Sequence, residues 1–415
     1  MSTAPDINRL HDLDGVRAFA LLLGVAFHAG LSFLPFFIGW AVMDVSTSPV
    51  VGALLLTAHA FRMPLFFLIA GYFSRMSFHR RGPAAFVGSR VLRLGVPFIA
   101  GWFLLRPLLV SGWIMGAQSM RGEVDVLAGL RLGFAELGKL PEGLFVGTHL
   151  WFLYYLLLIS ATAIILRTTV VSLLPSVGYK LTTLADAGIR RAANSRLPWL
   201  LVIPTTALCL HAMDGWGIAT PDRSLRPIFS VSTFYALFFL SGWLLHRHDE
   251  LRHTFTRVTP ARVGTVLIAG CVTVLLSAFE SQPDHPHIDV LRAVFCISYA
   301  TLTWSMIGLT MGIFRQCCRQ ANRLVRYLAD AAYWIYLVHL PIVVWLQVAL
   351  AEWPLHWSVK LTVIFAVTTL ASILVYDLAI RPTCVGQVLN GRRRPSAIRS
   401  MVARRREAAV ARATT

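Results

Sequence analysis

His28, Arg62 and His339 are ionisable side chains set inside stretches that are otherwise long and apolar: ALLLGVAFHAGLSFLPFF, LLLTAHAFRMPLFFLIAG (which adds His59) and YWIYLVHLPIVVWL. A charged group at mid-bilayer costs about 2.5–3.5 kcal/mol on insertion scales, so such groups face a wet cavity or a partner and mark chemistry or transport. Histidine titrates near neutrality and serves as a general base, and arginine is a permanent donor suited to a developing oxyanion. At about 1.5 Å per residue, His28, Arg62 and His339 come out at one depth, about 18 Å along their segments, with His59 about 13 Å below the outer surface. Separate helices meeting at one depth predict a single polar chamber.

Other spacings extend this pattern. Arg17 precedes His28 by eleven residues, about three turns of 3.6, which places the two near one helix face. Such a face offers a fixed cation at the membrane border and a base deeper in. Asp14, three residues before Arg17, is spaced to pair with it. In SRMSFHRRGPAAFVGSRVLRLGVPF, Arg90 and Arg93 are one turn apart and suit a phosphate or pyrophosphate. THLWFLYYLL places His149 and Trp151 at the outer interface, where a lipid-facing aromatic belt and a sugar-binding platform are both open readings. Asp377 and Arg381, four apart, read as a structural pair. No Cys or His spacing suggests a metal site, no C-x-x-C occurs, and no G-x-S-x-G serine motif is present.

The elements that must carry these residues follow from composition. The chain has 415 residues, 56% of them hydrophobic and 14% charged. Soluble domains carry about 25% charged residues, and backbone groups in a bilayer must be satisfied within helices or closed barrels. Repeated apolar stretches of about 20 residues, without period-2 alternation, predict an all-α polytopic membrane protein with about ten transmembrane helices around a central polar cavity. The spans fall at 16–36, 50–73, 92–112, 147–167, 197–213, 228–246, 261–279, 291–314, 327–349 and 359–379, the fifth being short. The N-terminus lacks a signal-peptide pattern, so the first span is expected to stay as an anchor.

The formal net charge is +18, which in a soluble protein would suggest nucleic acid. Here the charge sits in loops. With the N-terminus inside, 29 of the 38 Lys and Arg fall on the cytoplasmic side of this layout and six on the outer side. Both termini are then cytoplasmic in a multi-pass membrane protein, in contact with lipid and not with nucleic acid. Residues 121–142 are expected to lie along the outer membrane surface or to help close an outer vestibule. Residues 1–390 form the transmembrane domain, and 391–415 a basic, loosely ordered cytoplasmic tail near anionic lipid.

The pieces LDGVRAFALLLGVAFHAGLSF, HAFRMPLFFLIAGYFS, SRVLRLGVPF, THLWFLYYL and YWIYLVHLP follow one another from residue 13 to 341. Together they resemble the acyltransferase 3 family of integral membrane acyltransferases. The resemblance implies that Arg17 and His28 form the signature motif, with the histidine essential to acyl transfer. It implies acyl-CoA as co-substrate on the cytoplasmic side, no permanently bound cofactor, and a glycan or other hydroxyl acceptor from the far side. Likeness to the branch that modifies osmoregulated periplasmic glucans implies succinyl-CoA and a periplasmic glucan. The expected roles are catalysis for His28, Arg62 and His339, and substrate binding for Arg17, His59, Arg90, Arg93, His149 and Trp151. The rival readings are a proton-coupled transporter or flippase for an anionic solute or lipid-linked sugar, and a scaffold whose polar groups only join helices. A homo-oligomer is left open.

Overall fold

The structure, a computed structural model, describes residues 10–119, 122, 124–138, 148–192, 195, 197–222 and 224–413. Its α-helices run in the order α1 (His11–Gly30), α2 (Pro49–Arg81), α3 (Pro83–Arg90), α4 (Val96–Ser119), α5 (Val126–Ala135), α6 (Trp151–Leu173), α7 (Pro175–Ala192) and α8 (Leu197–His211). They continue with α9 (Phe229–Arg247), α10 (Asp249–Phe255), α11 (Pro260–Ser277), α12 (Ile288–Cys317), α13 (Arg323–Leu350), α14 (Trp357–Val375), α15 (Cys384–Asn390) and α16 (Ala397–Ala413). Two π-helical turns interrupt this pattern: Val91–Gly95 joins α3 to α4, and Tyr376–Ile380 ends α14. The described residues contain no strand, and nine helices among them are long and apolar enough to cross a membrane. This is an all-α polytopic membrane protein.

Local chemistry sets the helix ends. Asp12 and Asp14 lie in the first turn of α1, where acidic groups favour the helix N-terminus. The first span, expected at 16–36, instead ends at Gly30 followed by one 3-10 turn. Pro35 forces the residue before it out of helical geometry, and Leu34 is extended at ψ 139°. His28 therefore occupies the last turn of α1 and not its middle. Thr259 caps α11 by accepting from Arg262 N–H (3.2 Å), with Pro260 at the first helical position.

The chain forms two compact units: Met1–Ala20, Val50–Phe98 and Leu140–Asn322 in one, and Leu21–Pro49, Ile99–Lys139 and Arg323–Thr415 in the other. In the first, α2 and α9 touch backbone to backbone. A Cβ added at Gly71 would stand 1.8 Å from the Phe239 carbonyl oxygen, and one at Gly242 would stand 1.8 Å from that of Leu68. Small residues permit this close crossing in membrane helices.

The same unit resolves the short fifth span. Helix α8 has 15 residues, about 22 Å, less than the usual hydrocarbon thickness. Yet the segment after it meets the start of the α6 region, with Thr148 N–H donating to Asp222 O (3.1 Å) and Tyr154 OH to Leu225 O (2.7 Å). Helix α8 thus returns the chain to the end from which α6 set out. The C-terminal ends of α2 and α9 also meet, Arg75 Nη1 donating to His246 Nδ1 at 2.9 Å. An even number of passes separates them, which requires α8 to count as one.

In the second unit, α5 covers part of the expected surface segment, its N-terminus capped by Asp125 Oδ1 accepting from Ala128 N–H (2.9 Å). Val126, Leu127, Leu132 and Phe134 are exposed on it, as an interfacial helix requires. Residues 121, 123 and 139–142 of that expected segment lie outside the described residues. The basic tail is not loosely ordered as expected, because α16 is held at its start. Asp377 accepts from the N–H groups of Ala397 and Ile398 (3.0 Å each) and from Ser396 Oγ (2.5 Å). The expected Asp377–Arg381 pair is present at 3.1 Å, and Tyr327 OH also donates to Asp377.

Candidate functional site

In the second unit, His28 on α1 faces His339 on α13, their ring centroids 5.3 Å apart. His28 is half-buried and His339 is buried. His339 Nδ1 lies 2.7 Å from the carbonyl oxygen of Tyr336 and 3.1 Å from that of Ile335. Carbonyl oxygens only accept, so Nδ1 carries the hydrogen and, in the neutral ring, Nε2 holds the lone pair. His339 is thereby suited to accept a proton beside His28. A role as oxyanion donor would need a second proton on the ring.

Two groups not singled out in the sequence hold this pair. Helix α1 ends at Gly30, so its last carbonyls lack helical partners. Gln347 Nε2 donates to the carbonyls of His28 (3.0 Å) and Ala29 (3.1 Å). Its Oε1 accepts from Trp40 Nε1 (2.9 Å), and the Trp40 indole stacks on the His28 ring with centroids 5.8 Å apart and planes 21° off parallel. Gln347 is 1% exposed. Its signal in the sequence was a lone amide in VVWLQVAL, two i+4 steps beyond His339.

The segment after α1 is tied to α14 by an ion pair, Lys360 Nζ to Asp44 Oδ1 at 2.7 Å, with side-chain exposures of 0% and 2%. Lys360 Nζ also donates to Ala351 O (3.1 Å), and Asp44 accepts from Ser46 N–H (2.8 Å). Burial pushes the Asp44 carboxyl above its usual pKa, opposed by the hydrogen bonds from Lys360 and Ser46. Residues 31–48, around Asp44, contain no Lys or Arg. The partner of Asp44 lies 316 residues away, beyond any spacing rule.

In the first unit, His59 and Arg62 are one turn apart on α2. His59 Nε2 lies 3.0 Å from the Ile218 carbonyl and so is its donor. Arg62 is buried, and its guanidinium carries N–H donors on three nitrogens, where the neutral rings of His59 and His339 each carry one N–H already directed at a backbone carbonyl. His149 and Trp151 are both buried. Trp151 packs on Tyr235 (5.4 Å between centroids) and Tyr155 (5.9 Å), which removes it from a lipid-facing belt. Thr148, just before them, has φ 47°, a left-handed conformation rare for a β-branched residue.

Arg17 pairs with Asp14 as its spacing predicts, at 3.6 Å, and its guanidinium lies over Phe73. Arg90 donates to Ser74 Oγ (2.6 Å) and lies over Phe86 (4.8 Å to the centroid). Arg93 falls within the π-helical turn, half-buried. The spacing argument for Arg90 and Arg93 assumed 3.6 residues per turn, and the wider π turn does not preserve it.

Residues 10–377 match the family described as an acyltransferase domain. The chain belongs to this acyltransferase family. The acyltransferase domain takes in α1 to α14 and every residue of the site, and leaves α15 and α16 outside. The chain is also 26% identical, over 342 residues, to the glucans biosynthesis protein C of Salmonella schwarzengrund (strain CVM19633), of Salmonella typhi and of Salmonella typhimurium. Each alignment spans 82% of this chain and 84% of the relative. No solved structure matches it.

Proposed function

We propose that this acyltransferase moves an acyl group across the bacterial inner membrane, from a cytoplasmic acyl-CoA to hydroxyl groups of a periplasmic glucan or other glycan. The observation that carries the reading is the facing pair His28 and His339, within a chain of an acyltransferase family. The name of the 26% identical relatives supports a glucan acceptor. Succinyl as the acyl group, and hence succinyl-CoA, rests on the same likeness. The bias of 29 basic residues against six supports cytoplasmic termini, with the basic tail beyond residue 390 near anionic lipid.

In this reading the CoA phosphates dock near Arg90 and Arg93, with Arg17 at the same mouth, and the pantetheine arm carries the thioester inward. The glycan enters from the opposite side past His149, Trp151 and His59. His28 takes the hydroxyl proton as the oxygen attacks the thioester carbonyl. His339 holds the second imidazole beside it. Arg62 steadies the oxyanion. The C–S bond then breaks, the CoA thiolate leaves and takes up the proton held by His28, and the O-acyl glycan departs.

Purified protein incubated with succinyl-CoA and a β-glucan is expected to release free CoA thiol and to add one succinyl mass per modified hydroxyl. His28→Ala is expected to abolish both while leaving membrane insertion and abundance unchanged. Full activity in that variant would remove His28 from the mechanism. Uptake into vesicles without thioester loss would replace the reading with transport.

A further inference from the structure

Within the first unit, residues 10–12 around the start of α1, helix α10 with the turn after it, and the C-terminal end of α12 with the residues just past it line an open cavity of about 680 Å³. Four guanidinium groups line it, those of Arg252, Arg257, Arg315 and Arg319, against one carboxylate, Asp12. Two are braced from behind. Arg252 Nη1 donates to Tyr72 OH (2.9 Å), with the guanidinium over that ring. Arg315 Nη1 donates to Thr256 Oγ1 (2.9 Å), whose hydroxyl in turn donates to Arg252 O (2.9 Å), and Arg315 Nη2 rests on the His253 ring. Arg257 and Arg319 stand exposed at the rim. The nearby Asp249 reaches only Arg252 Nε, at 3.9 Å, and is itself 81% exposed.

Arginines that serve topology alone splay into water, where repulsion is least. Here the protein uses a tyrosine, a threonine and a histidine to hold like charges around one volume. Such an arrangement is stabilised by an anion, and the planar guanidinium fork matches phosphate oxygens two at a time. The volume lies within the range of small-molecule sites and exceeds the needs of a single ion. We propose that this cavity binds a phosphate ester, carried by a soluble nucleotide or by an anionic lipid headgroup. It is a site apart from Arg90 and Arg93, and it stands whether or not the acyl-transfer reading does, because binding is measured without turnover.

The test uses the full chain in phosphatidylcholine nanodiscs, titrated calorimetrically with 3′-phosphoadenosine 5′-diphosphate, with adenosine as the uncharged control. The nucleotide is expected to bind, more weakly at higher salt. The rim variant Arg257→Gln/Arg319→Gln, which leaves the braced arginines in place, is expected to bind about tenfold more weakly or worse, a loss of about 1.4 kcal/mol. Arg315→Lys, keeping charge but not the fork, is expected to weaken binding, while Arg226→Gln, at an exposed arginine outside the cavity, leaves it unchanged. A second arm replaces part of the lipid with phosphatidylglycerol. Retention of that lipid by the wild-type protein in native mass spectrometry, and its loss in the rim variant, would assign the phosphate to a headgroup. Neither nucleotide nor lipid binding differing between wild type and the rim variant would overturn the proposal.

Discussion

The side-chain amide of Gln347 donates to the main-chain carbonyl of His28 at 3.0 Å and accepts from the Trp40 indole that covers the same imidazole. One buried amide thus caps the helix that carries His28 and holds the ring stacked on it. Gln347→Glu keeps an acceptor for Trp40 and loses the donors to α1. Gln347→Leu loses both, and each buried polar group left unsatisfied costs about 1–3 kcal/mol. Both variants are expected to lower kcat about 10–100-fold with KM little changed, since small misplacements of a reacting group carry penalties of that order. Initial-rate measurements on folded protein check this, and wild-type kcat in both would deny Gln347 a positioning role.

The Asp44–Lys360 pair is buried on both sides, so removing one partner leaves an uncompensated charge. Lys360→Met is expected to destabilise the protein by about 3–5 kcal/mol, and Asp44→Asn in the same chain to recover part of the loss. The pH dependence of the single variant has a definite sign. Burial already holds the Asp44 carboxyl above its usual pKa, and loss of the lysine removes the opposing hydrogen bond. The folded state then binds the proton more tightly than the unfolded chain. The stabilising effect is full below pH 3.8, the usual carboxyl value, and is lost as pH rises through the raised folded value. Thermal unfolding of Lys360→Met across pH 4 to 8 is expected to show falling stability with rising pH, against a smaller change in Lys360→Met/Asp44→Asn.

Gly71 and Gly242 face backbone carbonyls across the α2–α9 crossing. A methyl group at either position must push two membrane helices apart, because a backbone oxygen at 1.8 Å cannot swing aside. Gly71→Ala and Gly242→Ala are each expected to lose most monodisperse protein after extraction, with a destabilisation above about 4 kcal/mol. Size-exclusion profiles at equal expression test it.

Asp377 is the hub that holds the basic C-terminal helix, through Ser396 and two main-chain N–H groups. Asp377→Ala is expected to release residues 391–413 to trypsin, with cleavage at the Arg392–Arg394 cluster rising several-fold in inside-out vesicles. Ser396→Ala, which removes one of these bonds, is expected to give an intermediate rate. Unchanged cleavage in both would show that α16 is anchored elsewhere.

Patterns with a short period were legible in the chain. Apolar runs gave the membrane class and located every crossing helix, although α2 runs to Arg81, eight residues past its expected end, and the third span begins at Pro83, nine before its expected start. The i,i+3 and i,i+4 spacings gave the Asp14–Arg17 and Asp377–Arg381 pairs, since a helix fixes which neighbours share a face. The meeting of His28 with His339 was anticipated from depth alone. Contacts between residues hundreds of positions apart were decided only by packing: Asp44 with Lys360, Trp40 with Gln347, and α1 cut short at Gly30 so that Gln347 could cap it. Such contacts depend on which faces the helices turn toward one another. A single chain's hydrophobic period constrains that rotation to a stripe and leaves the partner open.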